Sequence, residues 1–138
     1  MKLSTRGRYG LRAMLDLALH YDDGYISLRH IAERQEISEG YLEQVFAMLK
    51  KDGLVKSVRG AQGGYKLSYP PEDITVGMIL RTLEGSLAPV ECVDGENPSK
   101  CSRYDECVTK FIWEKMRDSL YEVVDSISLE DLALKYKK

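Results

Sequence analysis

The sequence predicts a mainly α fold in which three helices lead into a two-stranded hairpin, with a long helix near the C-terminus. Three observations carry this expectation. Apolar residues recur at helical spacing in several separated stretches of the 138-residue chain. A serine or threonine precedes nearly every such stretch, where its oxygen can cap the helix. Around the glycine-rich run Gly60-Ala61-Gln62-Gly63-Gly64 the period shortens to that of strands.

In the first stretch Leu11, Met14, Leu15, Ala18 and Leu19 form one helical face, with Ser4 as start signal and Asp22-Asp23-Gly24 as stop. A short second helix begins at Ser27 and buries Leu28, Ile31 and Ala32. The third is capped by Ser38, with Ile37 placed to staple against Leu42. It turns Leu42, Val45, Phe46 and Leu49 inward and ends at Gly53, which suits a left-handed C-terminal position. Val55, Val58 and the alternating Tyr65-Lys66-Leu67-Ser68 then read as a hairpin closed by Pro70-Pro71.

Thr75 caps a helix carrying Val76, Ile79, Leu80 and Leu83, which stops at Gly85. Residues 86–104 show no period, an uncommon length of irregular chain that is usually functional. From about Asp105 to Ser126 a long amphipathic helix follows, bearing Val108, Phe111, Ile112, Met116, Leu120, Val123 and Val124. At ~1.5 Å per residue it spans roughly 30 Å, longer than the small core needs. Trp113 and Tyr121 lie off its main stripe, and Ser128 caps a final short helix. The expected units are a DNA-binding domain over 1–84, a cysteine-bearing loop over 85–107, and a dimerisation helix with the last helix over 108–138.

Three helices followed by a hairpin are the layout of a winged helix-turn-helix, whose third helix enters the major groove. Charge agrees: residues 1–70 carry a net +3 and residues 71–138 a net −5, so a nucleic-acid partner belongs to the first half. The candidate contacts are Ser38, Tyr41, Glu43 and Gln44 on the third helix, with Arg59, Gly60, Gln62 and Gly63 in the wing. Ser38 and the first amides of its helix suit a phosphate, and an Arg beside a glycine turn suits a minor groove. An interaction module that uses the wing without DNA is the alternative from layout alone.

No Ser/His/Asp arrangement and no phosphate-cradling loop appear, so an enzyme and a small-molecule substrate are not expected. No apolar run approaches the ~20 residues of a membrane span, and none follows Met1 as a leader would, which leads to the expectation of a cytoplasmic protein. There, three cysteines are free thiols or metal ligands rather than disulfides.

Cys92, Cys101 and Cys107 are spaced Cys-x8-Cys-x5-Cys within a polar stretch. Packing cysteines would sit on helical stripes instead. Three thiolates suit tetrahedral zinc or an iron–sulfur cluster, each with one further ligand. The absence of a close Cys-x2-Cys pair favours iron–sulfur.

Ser4-Thr5-Arg6-Gly7-Arg8-Tyr9-Gly10, Tyr41-Leu42-Glu43-Gln44, Ser57-Val58-Arg59-Gly60 and Gly63-Gly64-Tyr65, with the cysteines and Trp113, make a chain of motifs that covers nearly the whole sequence. It resembles the IscR-like family of winged-helix regulators, which also includes nitric-oxide sensors of the NsrR type and the cluster-free CymR type of cysteine metabolism. The resemblance implies a homodimer joined through the long helix, by Phe111, Ile112, Met116, Leu120, Val123 and Val124. It implies a palindromic DNA operator, and a [2Fe-2S] cluster on Cys92, Cys101 and Cys107 whose state controls repression, most simply of iron–sulfur biogenesis genes.

Two departures stand out. The first cysteine spacer is eight residues where the cluster-binding members have about five, and Lys110 stands where they place a histidine ligand. A protonated lysine has no lone pair to give. Arg8 occupies the place of the carboxylate ligand of nitric-oxide sensors. Glu91, Asp105 and Glu106, next to the cysteines, are possible fourth ligands, and Glu43 is the one expected. Glu43 would tie the cluster directly to the recognition helix; unligated, it could accept a hydrogen bond from a cytosine amino group.

Overall fold

A computed structural model describes residues 2–94 and 103–137. The elements run α1 (Thr5–Leu19), α2 (Leu28–Gln35), α3 (Glu39–Lys51), β1 (Val55–Val58), β2 (Gly64–Leu67), α4 (Val76–Glu84), α5 (Lys110–Ser126) and α6 (Leu129–Tyr136). Five of the six α-helices among the described residues start where the sequence places a cap. Ser4, Ser27, Ser38, Thr75 and Ser128 each accept a hydrogen bond from an amide three residues on, at 3.1–3.3 Å.

The exception is α5, which begins at Lys110 rather than near Asp105. Tyr104–Glu106 form a separate 3-10 turn, and the Thr109 hydroxyl pairs with the Cys107 sulfur at 3.1 Å instead of capping. Cys107 therefore lies just ahead of the helix, and Val108 is exposed rather than on its stripe.

One core gathers Met14 and Leu17 of α1, Ile31 of α2, the Leu42, Val45, Phe46, Leu49 face of α3, and Leu67 of β2. The inward face of α3 is the expected one. That of α1 is wider, because α2, α3, α4 and α6 all pack on it. Ala13 and Leu17 are buried there, while Leu11, Leu15 and Leu19 are half-buried. Gly10 lets α4 approach: a Cβ in its place would stand 2.1 Å from Leu83 Cδ1.

Asp16 on α1 is only 2% exposed. It accepts two hydrogen bonds from the Arg34 guanidinium, at 2.7 and 2.9 Å, and one from Gln35 at 3.0 Å. The fork-to-carboxylate match locks α2 onto α1 and raises the Arg34 pKa still further, the Asp16 hydrogen bond outweighing burial.

The wing is antiparallel, with Val55 opposite Leu67 and Val58 opposite Gly64. A single bridging residue joins it. Ile26 and Tyr65 exchange backbone hydrogen bonds of 2.8 and 2.7 Å, which fixes the start of α2 against β2.

The C-terminal helices do not stand apart. Val76 donates to the Ile127 carbonyl at 2.9 Å and Leu129 to that of Ile74 at 2.8 Å, so α6 starts beside α4. Leu129 completes the main core, which brings the end of segment 108–138 into the same unit as residues 1–84. Meanwhile α5 lies on α4 through Val76, Leu80, Leu87 and Val124, clamped by Arg81 and Asp125 at 2.5 and 3.0 Å.

This corrects one dimer expectation. Val124 is 5% exposed and faces its own α4, with half-buried Leu120 packed beside it. Phe111, Ile112, Met116 and Val123 stay exposed, at 60, 52, 42 and 55%. The exposed apolar face thus lies on the side of α5 turned from α4.

Glu84, at the end of α4, ties down the chain start. It accepts from the Ser4 amide at 2.8 Å and from the Ser4 hydroxyl. Burial pushes its pKa up, but the hydrogen bonds from Ser4, the charge of Arg6 and the Gly7 amide outweigh it and hold the carboxyl below its ordinary 4.5. A depressed carboxylate stabilises the fold fully above its unfolded value and loses that contribution as pH falls through the lower folded one. Melting temperature should therefore drop below about pH 4.5, and Glu84→Gln should show a shallower drop. Equal acid profiles for the two proteins would show that the tether contributes nothing.

Candidate nucleic-acid interface

On α3 the residues turned outward are Glu39, Gly40, Glu43, Ala47 and Lys50, as its inward stripe requires. Gln44 is exposed beside them, and neither it nor Glu43 has a hydrogen-bond or charge partner among the described residues. The Ser38 side chain is engaged in capping the Tyr41 amide. Tyr41 itself is half-buried, its ring edge-on to Tyr9 at 6.0 Å between centroids. The structure gives Tyr41 a packing role beside the contact role expected of it.

In the wing, Arg59, Gly60 and Gln62 are exposed at the tip and Gly63 is half-buried. The turn depends on its glycines. Gly60 has φ +108°, and a Cβ at Gly63 would meet the Val58 carbonyl oxygen at 2.1 Å. On β2, Tyr65 packs on Phe46 with ring centroids 4.7 Å apart, coupling the wing to α3.

Between α2, α3 and the wing lies an open groove of about 490 Å³. Ser27, Arg29, Lys50, Ser57 and Arg59 line it, with Glu39 as the acidic member. Lys50 and Arg59 belong to the stretch 50–66, which carries five basic residues and one acidic one. Arg29 does not; only the Ile26–Tyr65 pairing brings it there, and no local signal could have found it.

The cysteine segment occupies another part of the fold. Cys92 sits in a 3-10 turn, Glu91–Val93, held by the buried Val93 and by Arg117, which donates to the Val93 carbonyl at 3.0 Å. Cys92 and Cys107 are free thiols, both half-exposed. The Thr109 hydroxyl, then the Lys110 amide, pull the Cys107 pKa below the ordinary thiol value. Cys101 lies outside the described residues.

Glu91, Asp105 and Glu106 are exposed in the same segment. Glu43 is not brought to them: α3 packs on α1, α2, α4 and β1, whereas the Cys92 turn packs on α5. Among the described residues no group of three or more His, Cys, Asp or Glu is placed to hold a metal. No helix among them is long and apolar enough to cross a membrane.

A helix-turn-helix with an outward polar helix, a glycine-tipped wing and a basic groove between them is the architecture of the winged helix-turn-helix class. A family profile described as "Rrf2: Iron-dependent Transcriptional regulator" matches residues 3–135, and the chain belongs to that family. It is 47% identical over 133 residues to the HTH-type transcriptional regulator CymR of Bacillus subtilis (strain 168), covering 96% of this chain and 90% of that one. The solved structure of that protein, described as a global cysteine regulator, is similar with a TM-score of 0.80 and 98% of each chain covered.

The HTH-type transcriptional regulator IscR of Aliivibrio salmonicida is 42% identical over 96% of this chain and 77% of its own. The structure of T. potens IscR is 51% identical, with a TM-score of 0.78, over all of this chain and 89% of that one. These relatives are transcriptional regulators rather than enzymes, as the sequence led one to expect. CymR and IscR types are about equally close, so overall identity does not separate the two branches.

Proposed function

We propose that this chain is a cytoplasmic, homodimeric repressor of iron–sulfur biogenesis genes, controlled by a [2Fe-2S] cluster and binding a palindromic operator. The observation that carries the reading is the donor set: two free, half-exposed thiols stand nine residues before and six residues after Cys101 in the sequence, and one has its pKa drawn below the ordinary thiol value. Soft thiolates are the natural ligands of such a cluster. Cys92, Cys101 and Cys107 would hold it, with a neighbouring carboxylate (Glu91, Asp105 or Glu106) as fourth ligand in preference to Glu43. When bound, a cluster supplies a redox-labile centre whose loss changes local charge and order.

The chain's own residues connect that loop to the DNA face. Arg117 anchors the Cys92 turn on α5, Arg81 and Asp125 hold α5 on α4, and Glu84 holds α4 to the start of α1. The exposed Phe111, Ile112, Met116 and Val123 supply an apolar face on α5 for the partner's α5. On α3, the unpartnered Glu43 is positioned to accept from a cytosine amino group, and Gln44 to read an adenine. Ser38, Tyr41, Arg59, Gly60, Gln62 and Gly63 complete the contact surface.

A second reading, a regulator without a cluster, is favoured by the 47% identity to CymR. Anaerobic purification with iron and sulfide decides between them. The first reading expects visible absorption, with about two irons and two sulfides per chain, both lost in the Cys92→Ser, Cys101→Ser, Cys107→Ser variant together with cluster-dependent DNA affinity. A colourless wild-type protein, or DNA binding identical in the two, overturns it.

A further inference from the structure

We propose that the cleft between α1, the end of α2 and the end of α6 binds a small carboxylate with an apolar body, whose charged end Arg12 receives, and that this ligand acts on the recognition helix. The cleft has a volume of about 320 Å³, the scale of a small-ligand site. Leu15 and Leu19 of α1 and Tyr136 of α6 give it an apolar lining, beside Arg12, His20 and Arg34. It takes no residue from the cysteine segment or from the DNA contacts named above. The ligand site stands apart from the DNA-binding reading, and only its effect on α3 rests on it.

The charges in the cleft are unevenly matched. Asp16 is already spent, since Arg34 and Gln35 donate to its oxygens at 2.7–3.0 Å, and Arg34 commits both arms of its fork to that carboxylate. Arg12 has no such partner. Its guanidinium donates to the Gln35 side-chain oxygen at 3.3 Å and to the Gln35 backbone carbonyl at 2.5 Å, and lies 5.4 Å from the centre of the Tyr9 ring. These neutral groups hold the cation in place without cancelling its charge. Among the described residues no carboxylate pairs with it.

A planar guanidinium recognises a carboxylate by two parallel hydrogen bonds. One unpaired cation matches a single negative charge better than the denser charge of a phosphate ester. The two leucines and the tyrosine then call for an apolar body behind the charged end.

Occupancy reaches α3 through the same arginine. Arg12 bonds the last residue of α2, and Glu36 follows in the left-handed region at φ +56°, ahead of the Ser38 cap of α3. A carboxylate that competes for the Arg12 fork loosens its hold on Gln35, and with it the turn that sets the recognition helix.

The test is calorimetric titration of the full chain with phenylbutyrate, and with phenylbutylamine as the same body of opposite charge. Phenylbutyrate should bind saturably with a Kd of about 1 mM or lower, and the amine at least about tenfold more weakly. Arg12→Gln, at an exposed position, should keep the wild-type melting temperature and lose at least about tenfold in phenylbutyrate affinity. Tyr136→Ala, at a residue 71% exposed and outside the core, should lose about threefold. In fluorescence anisotropy with a labelled mixed-sequence duplex of about 30 base pairs, saturating phenylbutyrate should lower the duplex affinity of the wild type about fivefold or more and leave that of Arg12→Gln unchanged.

No saturable binding, equal binding of the amine, or undiminished binding by Arg12→Gln overturns the site. Binding that leaves duplex affinity unchanged overturns its link to α3. A ligand-free chain that binds no duplex instead overturns the DNA-binding reading, while the calorimetry still decides the site.

Discussion

Phe46→Ala is expected to lower the free energy of unfolding by about 3–5 kcal/mol, measured by urea denaturation at fixed protein concentration. The ring is fully buried, with no surface to water. Truncation loses its transfer energy and leaves a cavity that α3, hemmed in by α1, α2, α4 and β1, has little freedom to fill. Small domains are stable by only about 5–15 kcal/mol, so this is a large share of the total. The effect should reach the wing as well, because Tyr65 packs on this ring and carries the pairing with Ile26. A shift worth less than about 1 kcal/mol would mean that the core does not close around Phe46.

Gly64→Ala should damage the DNA-binding face by adding a single methyl group. The added Cβ would meet the Ile26 oxygen at 2.2 Å, the Ile26 carbonyl carbon at 2.4 Å and the Ser27 nitrogen at 2.7 Å. All three are backbone, so no side chain can swing aside. The Ile26–Tyr65 pair must separate, with two hydrogen bonds of about 1 kcal/mol each and the set of α2 against the wing. We expect a loss of about 2–4 kcal/mol in stability and at least a tenfold loss in duplex affinity.

Gly53→Ala is the matched comparison. Its φ is +80°, but open space surrounds the position, so strain alone should cost about 1 kcal/mol with affinity little changed. If the two variants behave alike, conformational strain explains both and the close approach at Gly64 is without consequence.

Much of the winged unit was legible before any coordinates. Ser38, the stripe from Leu42 to Leu49 and Gly53 define α3 within a window of sixteen residues, and each signal acts over one or two helical turns. The hairpin was equally local, since the Gly60 and Gly63 conformations follow from the turn itself. The cysteine pattern was visible as chemistry, though its geometry was not. Where the reading went astray, an unexpected contact had intervened, one of them local and one from far along the chain. Thr109 turned to the Cys107 sulfur and delayed α5, and Val124 turned to α4 rather than to a partner.

Local sequence determined which segments are helices, where most of them begin, and which face of α3 meets solvent, because capping and periodicity depend on residues three or four positions apart. Tertiary structure alone decided that buried Asp16 pairs with Arg34, that Glu84 holds Ser4 eighty residues away, and that Arg29 shares a groove with Arg59. Those pairings exist only after α1 has been enclosed by α2, α4 and α6, and no pattern of neighbouring residues encodes the distance between two helices that meet through the core.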